Sequence, residues 1–420
     1  MRKKLLFVTT RLFWPTDSGH KVLLHNYCKG LHEIYGYDVY LYSFLEGGQT
    51  LDRNKIPPYI KDVVLANEVP VAMKGYNLVR YSLFGSNRKS FQSAIYYNPK
   101  NVERIRKFCE ELKPDTVIFD MIRLSQYREA VGHLDCLKVL YMEDILSKRY
   151  IRQIQRGGDK SGIAGRFSDK LPSVLNKLIN AKGLRNAVLR AETKRVQVEE
   201  VSAVKRFDSV IYVNQIEADE MKKTAGVDNG YVVTMGADCD YFGENIHVDK
   251  KENTLAFVGN MAYAPNADSV RMIVQNILPL IPSKPTIHFI GNCPSELRQE
   301  FEGHPQCVFE GLVDDVRESV KSAIVVLSPI AYGTGVKTKV IEGMAMSMPV
   351  VTNSLGVEGL SVQVGRDLLM SDDYGEIATM VEELLHNPEK CAELGRNGHD
   401  YTMKNHRWED IYKVFGQAGL

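Results

Sequence analysis

The sequence lacks the features that would assign it at once to several protein classes. Its seven cysteines are an odd number without a C-x-x-C pair, which argues against a disulfide framework or zinc site and for a reducing compartment. No apolar run approaches the ~18 residues of a membrane-spanning helix. The first apolar run, "LLFV", is short and precedes no small-residue cleavage site, so we expect a β-strand there and a cytoplasmic protein. No histidines have a metal-binding spacing, so we predict no metal site.

Charge is nearly balanced along the chain as a whole. The formal net charge is +1 with 25% charged residues, which gives no sign of nucleic-acid binding. A hydrophobic fraction of 44% is enough for large cores. Because 420 residues exceed one ordinary domain, we expect two.

Short β-rich runs alternate with helical stretches along the chain. Several of these runs are continuously apolar, as in parallel strands covered on both faces. The ten runs are "KLLFVTT", "YDVYLYSF", "DTVIFD", "LKVLYME", "FDSVIYVN", "TLAFVGN", "TIHFIGN", "SAIVVLSP", "MPVVTN" and "DLLMSD". A polar, turn-rich segment between residues 225 and 255 divides them. The pattern predicts an α/β protein with Rossmann-like domains at 1–235 and 236–395, followed by a C-terminal segment, 396–420.

A glycine-rich turn follows the strand-like run "SAIVVLSPI". The segment "GTGVKTKVIEGMAM" starts with Gly333 and Gly335 and is predicted to form a helix from Val336. The two glycines allow close backbone approach. The unpaired N–H groups after Thr334, including that of Val336, would make an anion site at the helix start.

Two lysines and a glutamate follow this turn. Lys337 and Lys339 add positive charge, and Glu342 lies roughly 7–9 Å along the helix axis. Phosphates at the turn and a ribose diol at Glu342 would together suit a nucleoside diphosphate. The alternative is that Lys339 and Glu342 form an i,i+3 surface pair and that the glycines only cap a helix.

The segment "GTGVKTKVIEGMAMSMPVVTNSLGVEGL" resembles the donor site of retaining glycosyltransferases of family 4, which have the GT-B fold. "GADCDYF", "FVGNMAYAPNADSV" and the C-terminal "LLHNPEKCAELGRNGHDYTMKNHRWEDIYKVF" resemble other parts of that family. The resemblance implies two Rossmann-like domains facing across a cleft. It also implies a helix within 396–420, beginning at Trp408 and Glu409, that crosses back to the first domain.

By position, Glu342 matches the second glutamate of the family's E-x7-E motif, which is the ribose ligand. Thr334 stands in place of the first glutamate, near the transferred sugar, and is carried over as a catalytic position. The resemblance therefore implies that Lys337 supplies charge to the leaving diphosphate, while Lys339 points elsewhere on the helix and matters less.

The resemblance alone implies that Gly259 and Asn260 bind the nucleotide-sugar. These two residues follow the first strand of the nucleotide domain, where many relatives have an arginine and a lysine. Here no cation occurs before Arg271.

In the first domain, Gly19 falls at the glycine loop that faces the donor phosphates. Asp120 stands where many relatives have a histidine near the sugar. Gly19 could equally be a helix cap. Asp120 and Asp144, which end two strands, could each be caps for the next helix.

The resemblance implies retaining glycosyl transfer to an acceptor hydroxyl in bacterial polysaccharide, glycolipid or glycoprotein glycan assembly. A UDP- or GDP-sugar would be the co-substrate, with no further cofactor and no metal ion. Acceptors would be glycans, lipid-linked or protein. A GT-B nucleotide-sugar hydrolase or epimerase and a non-catalytic GT-B partner protein are the alternatives. Without a G-x-G-x-x-G motif after a strand, an NAD-dependent enzyme is disfavoured.

Residues 148–206 are strongly basic, with fifteen Lys or Arg against five Asp or Glu. Leu171, Val174, Leu175, Leu178 and Ile179 share one side at helical spacing. Such a basic amphipathic helix predicts peripheral contact with an anionic membrane, at the inner face of the plasma membrane. The alternative is an ordinary solvated helix face.

Overall fold

We describe a computed structural model of the chain over residues 2–16, 19–83, 89–155, 184–333 and 335–420. Contacts divide the chain into two compact units. Unit 1 comprises Met1–Val233 and Tyr412–Leu420, and unit 2 comprises Thr234–Ile411. The sequence-based boundary at 395/396 falls inside the helix Pro388–Asn405.

Unit 1 is built on a parallel sheet of seven strands in the order β3-β2-β1-β4-β5-β6-β7. The strands are β1 Lys4–Thr9, β2 Asp38–Ser43, β3 Ile60–Leu65, β4 Thr116–Asp120, β5 Leu137–Glu143, β6 Ser209–Tyr212 and β7 Gly230–Val232. Every residue of β4 is buried, as the continuously apolar run predicted.

Helices connect these strands, as parallel pairing requires. They are Gly19–Glu33, Val71–Asn77, Phe91–Tyr96, Pro99–Leu112, Leu146–Gln155, Leu184–Val204 and Gln215–Ala225, with 3₁₀ turns at Arg53–Lys55 and Ile122–Ala130 and a π-helical stretch at Leu78–Leu83. Local sequence sets several ends. For example, the Asn214 side chain accepts a hydrogen bond from Glu217 N at 2.9 Å and caps one helix, which ends at Gly226 with φ of 70°.

Unit 2 contains a parallel sheet of six strands in the order β10-β9-β8-β11-β12-β13. The strands are β8 Thr254–Val258, β9 Thr286–Ile290, β10 Cys307–Gly311, β11 Val325–Leu327, β12 Val350–Thr352 and β13 Leu369–Met370. The helices are Cys239–Gly243, Ala264–Met272, Ser295–Glu300, Val316–Ser322, Thr338–Ala345, Tyr374–Leu385 and Pro388–Asn405, with a π-helical stretch at Ile273–Ile277 and a 3₁₀ turn at Leu278–Leu280.

The last helix, Trp408–Gln417, begins at the predicted tryptophan. Its second half belongs to unit 1. There Tyr35 Oη donates to the carbonyl oxygen of Tyr412 at 2.8 Å, and Ser209 Oγ donates to that of Ala418 at 2.8 Å. These bonds fix the end of the chain to the body of unit 1.

All ten predicted strand runs are strands in the structure, and the predicted class of two parallel α/β sheets is confirmed. Strands β3, β7 and β10 were not predicted. Each is an edge strand with mixed burial. Of the described helices, none combines the length and apolarity needed to cross a bilayer.

The order of strands changes direction once in each sheet, between β1 and β4 and between β8 and β11. Ligands of open parallel sheets bind at the carboxyl ends of the strands beside such a reversal. The two reversals therefore mark where each unit would hold a ligand.

Candidate functional site

In unit 2, the predicted donor-site residues gather at the reversal between β8 and β11. Gly259 and Asn260 follow β8 directly, and the glycine turn lies between β11 and the helix Thr338–Ala345. Residues far apart in sequence thus meet at one edge of the sheet. This is the edge at which the fold class places ligands.

The segment before the glycine turn is tied to its neighbours by side-chain hydrogen bonds. Ile330 N donates to Asn353 Oδ1 at 3.0 Å, and Asn353 Nδ2 donates to the carbonyl oxygen of Ile330 at 2.9 Å. Ala331 N donates to Ser269 Oγ at 3.1 Å. The turn is thereby anchored to the strand end after β12 and to the helix Ala264–Met272.

Both glycines of the turn have positive φ, 136° at Gly333 and 76° at Gly335, where a side chain would be strained. Thr334, a predicted catalytic position, lies outside the described residues. The helix begins at Thr338 rather than at the predicted Val336, because Lys337 has an extended backbone with φ of −98° and ψ of 100°. Val336 therefore lies in the turn itself.

The two lysines of this segment have different surroundings. Lys337 Nζ donates to the carbonyl oxygen of Gly335, within its own turn. Lys339 Nζ reaches across to Asn266 Oδ1 at 2.6 Å and lies 4.4 Å from the centre of the Phe257 ring. The lysine that faces the end of β8 is therefore Lys339.

Asparagines organise the loop after β8. Asn266 Nδ2 donates to the carbonyl oxygen of Asn260 at 2.9 Å, and Asn260 Oδ1 accepts from Ala262 N at 3.1 Å. A Cβ on Gly259 would lie 3.2 Å from Lys339 Nζ. The absent side chain at this position leaves room beside the lysine.

Glu342 lies one helical turn beyond Lys339 and is partly buried. Burial raises the pKa of Glu342 to about 7, against the attraction of Lys339. Burial also lowers the pKa of Lys339 to about 7, against the attraction of Glu342 and with help from Lys337. Among the described residues, none donates a hydrogen bond to the Glu342 carboxylate. Titratable groups whose pKa values are shifted in this way at the carboxyl ends of parallel strands are candidates for ligand binding.

Unit 1 has a second polar cluster at its own reversal, between β1 and β4. Asp120 is fully buried. One carboxylate oxygen accepts from Thr10 N at 2.8 Å and from Thr10 Oγ1 at 2.5 Å. The other lies 2.9 Å from His20 Nε2. The Asp120 carboxylate therefore positions His20. The predicted catalytic role of Asp120 stays a prediction.

The charges of this cluster support one another. Burial raises the pKa of Asp120, but His20 and Thr10 outweigh it and lower the pKa to about 2. Burial lowers the pKa of His20, but Glu143 and Asp120 outweigh it and raise the pKa above its usual value. The two side chains thus form a buried ion pair at the sheet edge.

Two further predicted positions in unit 1 are described. Gly19 is exposed and is the first residue of the helix Gly19–Glu33. Asp144 forms an ion pair with Arg149 of the following helix. In the described part of the chain, no group of three or more His, Cys, Asp or Glu could hold a metal ion.

The sequence analysis missed the contacts of His20 and Asn266. Only the position of His20, immediately after the loop glycine at the start of a helix, could have drawn attention to it. Asn266 lies 73 residues from Lys339, and no local pattern joins the two.

Comparison with known proteins shows a family match in unit 2 and a shared fold along the chain. Residues 252–387 match the family described as "Glycosyl transferases group 1". A Klebsiella pneumoniae protein named "Uncharacterized 44.6 kDa protein in cps region" is 22% identical over 220 residues. That match covers 50% of this chain and 54% of the relative, so it spans about half the length of each.

Solved structures share the fold along nearly the whole chain. Sucrose-phosphate synthase from Thermosynechococcus elongatus has a TM-score of 0.69 at 13% identity, covering 99% of this chain and 98% of that one. Anabaena HepE, solved in complex with UDP, has a TM-score of 0.63 at 12% identity with the same coverage. TarM has a TM-score of 0.66 at 10% identity, covering 100% and 99%.

The residues of the candidate site lie within the segment that the family match covers. Gly259, Asn260 and Glu342 all fall inside residues 252–387, and the structural neighbours share both sheets. We conclude that the chain has the GT-B fold and that its residues 252–387 match the group 1 glycosyltransferase family, which confirms the predicted resemblance to nucleotide-sugar glycosyltransferases.

Proposed function

We propose that the protein is a retaining glycosyltransferase that moves a sugar from a nucleoside-diphosphate sugar to an acceptor hydroxyl. The observation that carries this proposal is the placement of Glu342 at the β8/β11 reversal of unit 2, close to Lys339 and the glycine turn. The Glu342 carboxylate accepts no hydrogen bond from the described residues, so it suits the hydroxyls of the ribose diol. The Lys339 ammonium near the turn suits the phosphates.

The family resemblance implies the course of the reaction. The bond between the sugar C1 and the diphosphate oxygen loosens, and negative charge grows on the departing diphosphate. A lysine beside the glycine turn stabilises that charge, and the leaving phosphate oxygen accepts the proton of the acceptor hydroxyl as the new C1–O bond forms on the same face. Catalysis then consists of charge stabilisation and positioning, with no separate protein base.

Relatives guide the choice of donor and setting. HepE structures are described with UDP and with UDP-glucose, so UDP-sugars come first and GDP-sugars second. The Klebsiella relative is placed in a cps region by its name, which supports a role in polysaccharide assembly. We accordingly expect a glycan or lipid-linked acceptor.

We also propose that the protein works in the cytoplasm, in peripheral contact with an anionic membrane. The support is the excess of Lys and Arg between residues 148 and 206. Lys170, Lys177 and Lys182, with the apolar side from Leu171 to Ile179, lie outside the described residues. The described helix Leu184–Val204 follows them.

Donor turnover by the wild type and by Glu342→Ala tests the proposed activity. UDP- and GDP-linked sugars are screened for slow hydrolysis and for transfer. We expect Glu342→Ala to lose on the order of 1.5–3 kcal/mol, or about 10- to 150-fold in kcat/KM. Glu389→Ala, at an exposed glutamate of the same unit, should behave as the wild type.

The same screen separates the alternatives. Release of free sugar that no acceptor accelerates would indicate a hydrolase. Binding of nucleoside diphosphate without turnover would indicate a non-catalytic partner protein. Donor kinetics unchanged in folded Glu342→Ala would contradict the ribose assignment.

A further inference from the structure

The loop after β8 lacks a cation of its own. The first basic residue after β8 is Arg271. Its guanidinium forms ion pairs with Asp268 and Glu300, each at 2.8 Å. These two carboxylates hold its guanidinium. A diphosphate at the end of β8 therefore needs a cation from another segment.

Lys339 brings a cation to that place from the helix Thr338–Ala345. Its Nζ is held by Asn266 Oδ1 at 2.6 Å and lies over the Phe257 ring at 4.4 Å from the centre. Asn266 is in turn fixed by the carbonyl oxygen of Asn260 at 2.9 Å. The ammonium is thus positioned by the loop that lacks basic residues.

Asn266 and the Phe257 ring position the Lys339 ammonium, but neither carries a negative charge that would neutralise it. Asn266 is neutral, and within the described residues no carboxylate oxygen lies within 4.0 Å of Lys339 Nζ. Glu342 attracts the ammonium without direct contact, so its partial burial stays costly, and a bound anion would offset that cost. Gly259 lets the backbone at the end of β8 approach this ammonium closely, because a Cβ there would lie only 3.2 Å from Nζ.

We propose that Lys339, held by Asn266 at the carboxyl end of β8, is the cation that contacts the diphosphate of the bound nucleotide. This inference rests on the proposed function and assigns the diphosphate to Lys339 rather than to Lys337. Lys337 Nζ donates to its own turn at the Gly335 carbonyl. Lys339 instead bridges the two strand ends between which the nucleotide would bind.

Affinities for matched ligands test the assignment. Titration calorimetry measures binding of UDP and uridine, or of GDP and guanosine if the wild type prefers GDP. We expect Lys339→Gln to weaken diphosphate binding by about tenfold or more while nucleoside binding stays unchanged. Lys339→Arg should recover most of the affinity, and Lys404→Gln, at an exposed lysine of the same unit, should match the wild type.

A second variant covers the case in which Lys339→Gln does not fold. Asn266→Ala removes the acceptor that positions the ammonium, so it should weaken binding of the diphosphate but not of the nucleoside. Equal loss for both ligands in these variants, or loss confined to Lys337→Gln, would overturn the assignment. If the wild type binds neither UDP nor GDP, the proposed function itself fails, whereas unchanged diphosphate binding in folded Lys339→Gln overturns only this inference.

Discussion

Single residues decide which of two nearby lysines lies at the carboxyl end of β8. The family resemblance implied Lys337 as the lysine of the diphosphate, and a helix starting at Val336 would point Lys339 elsewhere. The structure begins the helix two residues later, at Thr338. Lys337 consequently lies before the helix, and Lys339 in its first turn reaches Asn266. A two-residue shift in a helix start is within ordinary uncertainty, yet here it exchanges the two side chains.

At the same scale, nucleotide affinity should have a maximum near pH 7. In the proposed complex, Glu342 binds the ribose as a carboxylate, and this charge is lost as pH falls below its pKa of about 7. In the same proposal, Lys339 binds the diphosphate as an ammonium, and this charge is lost as pH rises above its pKa of about 7. Calorimetric titration of UDP or GDP between pH 5.5 and about 8.5 measures both limbs.

Two variants show which side chain causes the loss of nucleotide affinity on each side of pH 7. Glu342→Gln should weaken the loss of affinity at acid pH, and Lys339→Gln should abolish the loss at alkaline pH. Titration of the nucleotide's own phosphate affects every variant alike, so differences from the wild type report the side chains. Identical pH profiles in wild type and variants would show that neither residue titrates at the ligand.

At the scale of elements, the helix Leu184–Val204 places one partly buried and one buried carboxylate at the starts of two other helices. Glu199 accepts from Ser90 N at 2.8 Å at the start of the helix Phe91–Tyr96. Glu200 accepts from Ser147 N at 3.1 Å and Ser147 Oγ at 2.6 Å near the start of Leu146–Gln155. Negative charge at helix starts is favourable, but burial opposes it.

This arrangement predicts that Glu200 makes a contribution to stability that depends on pH. Burial raises the pKa of Glu200 to about 8, so the folded state binds more protons than the unfolded state between about pH 4.5 and pH 8. The contribution of Glu200 to stability should therefore fall as pH rises through this range. Relative to Glu200→Gln, the wild type should lose on the order of 1–4 kcal/mol between pH 5 and pH 8.

Urea denaturation at the two pH values measures this loss. Glu111→Gln, at an exposed glutamate of the same unit, should keep the wild-type dependence on pH. Equal dependence in wild type and Glu200→Gln would mean that Glu200 is ionised in the folded protein at both values.

Burial explains which strands the sequence reveals. The central strands β1, β4 and β8 are apolar and buried over most of their length, so their runs were recognised. The unpredicted strands β3, β7 and β10 lie at sheet edges, where exposed positions admit polar residues. Their pairing depends on the neighbouring strand, which a local pattern does not contain.

The candidate site likewise has a part that the sequence predicts and a part that it does not. The glycine turn and Glu342 lie within one short segment, so their spacing was informative. The bond between Lys339 and Asn266 joins residues 73 positions apart, and that between His20 and Asp120 joins residues 100 apart. Such contacts follow from the strand order, which brings distant strand ends together.

At the scale of the whole molecule, the basic segment 148–206 predicts membrane association. The protein should sediment with anionic liposomes at low salt and be released by high salt, because each basic residue near the surface contributes about 1 kcal/mol. Changing Lys170, Lys177, Lys182 and Arg185 to Gln should weaken sedimentation. If the wild type ignores anionic liposomes at low salt, the acceptor is a soluble molecule.

The central claim is that unit 2 holds a nucleoside diphosphate at the reversal between β8 and β11. A crystal structure of the wild type with UDP, or with GDP if that binds more tightly, tests it most directly. We predict the ribose hydroxyls within hydrogen-bond distance of Glu342 and the diphosphate oxygens within hydrogen-bond distance of Lys339 Nζ. A nucleotide bound at any other place, with Glu342 and Lys339 in contact with neither group, would contradict the account.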